Sequence, residues 1–245
     1  MKIKVLYEDA NILAIDKPVG IVVHPDATKG GGKTVLDFVI KKYPKAVLVH
    51  RLDKDTSGVL LFAKNPRAYE FLKAQFKGRT IKKIYHAVVS GFVKNDHGII
   101  NKPIGRSPVD FRRRLSGRGA RGEMREAITE YKILKRFVAP VQKIFTPSHP
   151  PLGGGTRSIK KSSELSQNKF TYLEVKPKTG RTHQIRVHMK FLNHPVACDS
   201  LYAPKNACPK GFSRLVLHAK TIEFTNLKGK TIKVESPLPK EFLKI

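Results

Sequence analysis

HRLDKDTSGVLLFAKN, residues 50–65, sets a charged polar loop directly against an unbroken apolar run, and the rest of the chain can be read outward from that junction. Gly58 to Ala63 has the length and composition of a buried strand, and Ala46 to Val49, on the other side of the loop, is a second short apolar run. A polar loop between two buried strands is where chemistry tends to sit. Asn65-Pro66 then opens a helix to about Lys77: Asn caps, Pro suits the first helical position, and Ala68, Phe71, Leu72, Gln75 and Phe76 recur at helical spacing.

Toward the N-terminus, Lys2 to Leu6, Asn11 to Asp16 and Ile21 to His24 read as strands, the last two separated by a Lys17-Pro18-Val19-Gly20 turn. The glycine-rich Lys29 to Lys33 is a mobile connection, after which Thr34 caps a short helix, Val35 to Tyr43. Toward the C-terminus, Ile81 to Gly91 is a strand carrying Tyr85, Ile99 to Pro103 a short strand, and Ala127 to Phe137 and Phe170 to Lys176 further strands. Arg181 to about Leu192 reads as a helix, and Leu215 to His218, Thr221 to Thr225 and Lys230 to Glu235 close the chain as strands. Strands outnumber helices without regular β-α alternation, so the expected class is α+β: a mixed, largely antiparallel sheet with flanking helices. Residues 1–245 are expected to form one catalytic domain with basic insertions at about 105–125 and 138–169.

Charge sets the partner class. The 245 residues carry 48 Lys+Arg against 19 Asp+Glu, a formal +29 that exceeds any solubility requirement and points to a polyanion. No apolar run approaches the roughly 18 residues of a membrane span, and the N-terminus lacks a signal-peptide core, so a soluble cytoplasmic protein without a membrane partner is expected. Cys198 and Cys208 are too few for a disulfide framework, which fits a reducing compartment. Between Arg106 and Arg125, seven arginines (106, 112, 113, 114, 118, 121 and 125) face only Asp110 and Glu123, with glycines interspersed. This reads as a flexible basic finger that contacts RNA. Val138 to Lys169, rich in Pro, Gly and Ser, holds Glu164 as its one acidic residue and is long enough to be a functional or disordered loop.

Asp53 and Asp55 lie in the 50–58 loop among Arg51, Lys54 and hydroxyls. Carboxylates two apart also suit a turn that bonds its own backbone. Read functionally, an Asp beside Arg51 and Lys54 suits a nucleophile or base and not an acid. In TGRTHQIRVH, residues 179–188, two Arg, two His and a Gln fall on the first helical turns; this is either a basic face against phosphate or, for Arg186 at the edge of the core, a cation that needs an acidic partner such as Asp53.

HRLDKDTSGVLLFAKN, KIYHAVVSG (83–91), KTGRTHQIRVH (178–188), HPVACDSLY (194–202), LHA (217–219) and the closing PLP (237–239) together resemble the RluA-type pseudouridine synthases, in that family's order and over nearly the whole chain. EDANILAIDKPVGIVVHP (8–25) is similar to the family's opening. The resemblance implies the pseudouridine synthase catalytic fold and isomerisation of uridine in ribosomal or transfer RNA. By the same resemblance, Asp53 is the catalytic aspartate, Tyr85 packs on the target base and is a candidate for removing the C5 proton, and Arg186 pairs with the aspartate. Arg51 enters the nucleic-acid stack or supports the extruded nucleotide, and Ile185 lines the pocket. His50, Arg181 and the finger residues Arg112, Arg113 and Arg114 join them as candidate RNA-binding residues.

The isomerisation retains every atom, so no redox cofactor, metal or energy donor is expected, and structured RNA is the expected partner of a monomer. The sequence has no P-loop, no GxGxxG in strand–helix context and no CxxC pair. His194, Cys198, Cys208 and His218 do not have the tight ligand spacing of a zinc finger. An N-terminal S4-type RNA-binding domain, common in the family, is not expected, because the matching motifs begin within the first ten residues. Ala197-Cys198 stands where relatives carry a small residue and Gly. The competing reading is a non-catalytic RNA-binding or ribosome-assembly protein on the same fold. A metal-dependent nuclease would want converging carboxylates that the scattered acids do not supply.

Overall fold

The computed structural model describes residues 3–24, 33–117, 119–142, 167–205 and 208–245. In chain order its strands are β1 (Lys4–Glu8), β2 (Ile12–Lys17), β3 (Val47–Leu48), β4 (Ser57–Ala63), β5 (Lys82–Ser90), β6 (His97–Asn101), β7 (Ile104–Arg106), β8 (Arg114–Ser116), β9 (Arg121–Arg125), β10 (Ile128–Gln142), β11 (Gln167–Pro177), β12 (Cys208–Pro209), β13 (Leu217–Thr225) and β14 (Thr231–Glu235). The helices are α1 (Val35–Lys42), α2 (Pro66–Lys77) and α3 (Gln184–Phe191).

All seven residues of β4 are buried. A strand can be apolar on both faces only if both faces are covered, and β4 meets that condition. Val59, Leu61 and Ala63 pack with Ala68 and Leu72 of α2, whereas Leu60 and Phe62 pack with Val35 and Val39 of α1. The local signals for those helices hold. Thr34 and Asp37 form a reciprocal capping box at α1, and the Asn65 side chain accepts the Ala68 N–H at 2.9 Å ahead of Pro66.

The sheet runs β1-β2-β4-β13-β5-β11-β10-β12, with β14 on β13, β3 on β4 and β6 on β10. Among the described residues β4 with β13 is the one parallel pair, so the class is α+β with a mixed, mainly antiparallel sheet. At that junction Gly58 has φ +113°, and a Cβ there would come within 2.2 Å of the Ala219 carbonyl oxygen. Gly58→Ala should therefore cost about 3 kcal/mol or more, the upper end of the strain from an unfavourable φ plus a backbone clash. The check is a urea midpoint, and a midpoint within error of the parent would show that the strands can separate freely.

The far half of the sheet is covered on one face by α3, whose Ile185 and Met189 pack with Ala87, Val89, Leu173 and Val175. On the other face Val88 and Phe170 pack with Cys198, Cys208, Phe212 and Phe242.

Several expectations change. Residues 21–24 do not form a strand, and the two strands expected within 215–225 are one, β13. The basic insertions are shorter or more ordered than they read. Residues 104–106, 114–116 and 121–125 form a three-stranded antiparallel sheet, β8-β7-β9, instead of a flexible finger; its Ile104 is buried with Ala127, Val187 and Tyr202, which docks it against α3. The stretch 138–169 is strand at both ends. β10 and β11 stay paired out to Pro140 and Gln167, because Phe137, Ala139 and Val141 alternate onto the Phe170–Phe212 cluster. Residues 143–166, Arg118 and most of the Lys29–Lys33 connection lie outside the described residues. Cys198 and Cys208, from which no disulfide framework was expected, form one disulfide with each other, with Cα atoms 5.0 Å apart.

Candidate active site

The loop between β3 and β4 owes its shape to a buried cation. Lys17, at the end of β2, is 0% exposed and donates from Nζ to the carbonyls of Pro18 (2.8 Å), Lys54 (2.9 Å) and Thr56 (2.8 Å). Burial pushes its pKa down to about 8, against the opposing charges of Asp55 and Asp53. Three carbonyls on one ammonium pin the backbone around Asp53, and the Thr56 N–H closes the turn on the Asp53 carbonyl at 3.1 Å.

Asp53 projects into a cavity of about 700 Å³, within the ~300–1,000 Å³ typical of small-molecule sites. Its Oδ2 accepts from Arg186 Nη1 at 3.1 Å. Its Oδ1 lies 3.9 Å from His183 Nε2, too far for a hydrogen bond, so among the described residues that oxygen carries no donor. Arg186, 7% exposed, holds a second and stronger partner: Nε and Nη2 donate to Asp199 Oδ2 and Oδ1, both at 2.8 Å. The guanidinium also lies over the Tyr202 ring at 5.1 Å, and the Tyr202 hydroxyl is 2.9 Å from His183 Nδ1.

Tyr85, on β5, and Ile185, on α3, line the cavity, as do Arg51, which is exposed to solvent, and the half-buried Arg181. Burial, and to a lesser degree the charge of Asp53, raise the Tyr85 pKa, so the phenol stays protonated at neutral pH. Lys83, two residues before Tyr85, also lines the cavity; its Nζ donates to the Thr179 carbonyl at 3.2 Å, and burial lowers its pKa to about 8. His50 lines the cavity too, but its Nε2 accepts the Leu61 N–H at 3.0 Å and its ring packs on Phe76. Burial keeps that ring neutral, with a pKa lowered to about 3.

Arg181 was expected on α3 and lies before it. The buried Gln184 side chain accepts from Thr179 Oγ1 and the Arg181 N–H, and donates to the Ile128 carbonyl and Thr129 Oγ1; the chain reaches helical geometry only after His183, at φ +56°. Arg112, Arg113 and Arg114 do not line the cavity. Arg112 grips Asp110 with Nε at 3.0 Å and Nη2 at 2.8 Å, Arg113 comes within 3.5 Å of the same carboxylate, and Arg114 Nη1 donates to the Phe111 and Arg113 carbonyls. The sequence reading assigned no role to Lys17, Lys83, His183, Asp199 or Tyr202. All five fall inside the quoted motifs, but nothing in local spacing says which carboxylate meets which cation.

His218 joins β4 to β13 next to cavity residues Thr56 and Leu217. On β13 it faces Ser57 of β4, with Nδ1 2.9 Å from Oγ, and is 1% exposed. Burial, assisted by Arg214, lowers its pKa to about 4. A histidine whose folded pKa lies below its unfolded value of ~6.5 contributes full stability above pH ~6.5 and loses it as pH falls through the folded pKa. Between pH 7 and 4.5 the parent should lose about 2–3 kcal/mol more unfolding free energy than His218→Gln. Urea titrations at both pH values measure this, and equal losses would show that His218 is not buried neutral.

Residues 11–191 match the model of the RNA pseudouridylate synthase family. The chain belongs to that family. It is 35% identical over 261 residues to the ribosomal large subunit pseudouridine synthase D of Pseudomonas aeruginosa, covering 99% of this chain and 70% of that one. It is 32% identical over 254 residues to an uncharacterized RNA pseudouridine synthase of Bacillus subtilis, covering 100% and 72%. The human RNA pseudouridylate synthase domain containing 1 superposes with a TM-score of 0.73 at 22% identity, covering 97% of this chain and 84% of that one, so the fold is shared. The chain is thus an RNA pseudouridine synthase of the RluA type, an isomerase that converts uridine in RNA to pseudouridine.

Proposed function

We propose that Asp53 is the group that breaks and remakes the glycosidic bond, and that the substrate is a uridine flipped out of structured ribosomal RNA, with transfer RNA the second candidate. The observation that carries this reading is the Asp53 carboxylate itself: it lines the cavity, one oxygen is held by Arg186, and the other has no donor among the described residues. In the isomerisation the N1–C1′ bond breaks, the uracil turns, C5 bonds to C1′, and the proton lost from C5 is balanced by one gained at N1. A cavity of this size admits the turning base, and flipping costs a few kcal/mol, least in a loop or disrupted stem.

Arg51, which lines the cavity and is exposed to solvent, suits the place left by the flipped nucleotide, and Ile185 and Tyr85 suit the faces of the uracil. Tyr85 is better matched to packing than to acting as the C5 base. Its hydroxyl would have to lose a proton that burial and the Asp53 charge both retain. Ribosomal RNA is favoured because relatives such as the Pseudomonas protein are named as large-subunit enzymes. Chemical mapping of pseudouridine in rRNA and tRNA from cells with and without this protein tests the substrate: one or more rRNA positions should revert to uridine, and loss confined to tRNA would overturn the rRNA reading. Loss at no position in either RNA would favour the non-catalytic RNA-binding alternative.

A further inference from the structure

A guanidinium left alone with one carboxylate tends to grip it with two parallel N–H bonds, occupying both oxygens. Arg186 does this to Asp199, through Nε and Nη2, and meets Asp53 with a single, longer contact from Nη1. We propose that Asp199 is a positioning residue that takes the fork of Arg186 for itself, so that Asp53 is held by one oxygen and keeps Oδ1 open to the target nucleotide. This rests on the reading of Asp53 as the reacting group.

Asp199 is built to hold still. Its side chain is 0% exposed, its Oδ1 also accepts the N–H groups of Leu201 (3.0 Å) and Tyr202 (2.9 Å), and its carbonyl accepts the Ala203 N–H at 2.9 Å. The turn so formed places the Tyr202 ring against the guanidinium and the Tyr202 hydroxyl on His183, so the guanidinium is backed by a ring that is itself tethered. Asp199 does not line the cavity, so whatever it contributes to the reaction passes through Arg186. One cation shared unequally between two carboxylates is costly to bury unless the geometry is well satisfied. A simple ion pair would have stabilised Arg186 with fewer charges, which leaves the orientation of Asp53 as the use for the third.

The test is Asp199→Asn, which keeps the shape and an oxygen for the two amides but turns an N–H donor toward Arg186. Single-turnover formation of pseudouridine at saturating RNA should slow by about 100-fold, the scale of a misplaced reacting group. The dissociation constant for the same RNA should move by less than about 3-fold, since Asp199 lies outside the cavity. An unchanged rate at saturation, or a loss seen only in RNA affinity, overturns the proposal.

A second measurement does not depend on that variant folding. In protein labelled with [15N]arginine, the two Nη signals of Arg186 should be separate, and should remain so in Asp53→Asn because Asp199 still holds the fork. Collapse to one averaged signal in Asp53→Asn would show that Asp53 does the holding, and the proposal fails. If Asp53→Asn itself retains full turnover, the reading of Asp53 fails and the proposal falls with it; if Asp53→Asn is inactive and Asp199→Asn is not, only the proposal falls.

Discussion

Asp53→Asn is expected to fold, to bind RNA and to make no pseudouridine. The amide keeps the volume of the carboxylate and can still accept from Arg186 Nη1 on one side, so the Lys17-pinned loop has no reason to move. It cannot attack C1′ or take up a proton as a carboxylate does, and groups acting at the reacting bond commonly account for losses that reach background. Tritium release from RNA carrying 5-tritiated uridine measures this directly. Turnover above background with correctly folded variant would remove Asp53 from the chemistry and return the site to the RNA-binding alternative.

Arg186→Met should damage both stability and activity. The thioether fills part of the same volume against Tyr202 but leaves the fully enclosed Asp199 carboxylate with only two backbone amides, and Asp53 with no cation in contact. Breaking a buried pair from one side costs about 3–5 kcal/mol, here on top of a cation whose own pKa is raised by its two carboxylates despite its burial. For a chain of this length that corresponds to a fall in Tm of roughly 10 °C. Calorimetry and the tritium assay together check it. A variant as stable and as active as the parent would mean that neither carboxylate depends on Arg186.

Most of the elements around the site were legible because their signals are local. The Asn65-Pro66 start of α2, the Thr34 cap of α1 and the apolar run of β4 each lie within a dozen residues, and backbone geometry acts on that range. The long motifs around Asp53 and Arg186 were legible as a family resemblance for the same reason, since each is contiguous. Errors arose where a distant partner overrode the local reading. The start of α3 moved to Gln184 because that side chain is claimed by Ile128 and Thr129, more than fifty residues earlier in the chain. The arginine-rich stretch read as a flexible finger because charge masks alternation. Its order comes from Ile104 on Val187 and from the Arg114 N–H on the Tyr202 hydroxyl at 2.9 Å.

By itself the sequence determined the fold class, the polyanionic partner, the family and the pair Asp53 and Arg186 as candidates, all of them properties of composition or of unbroken motifs. Only the tertiary structure decided that Lys17 anchors the Asp53 loop, that Arg186 gives its fork to Asp199 and one contact to Asp53, and that the basic segment is a sheet docked on α3. The reason is that a buried charge is settled by whichever opposite charge or carbonyl the fold brings within about 3 Å, and no periodicity in the chain records that distance.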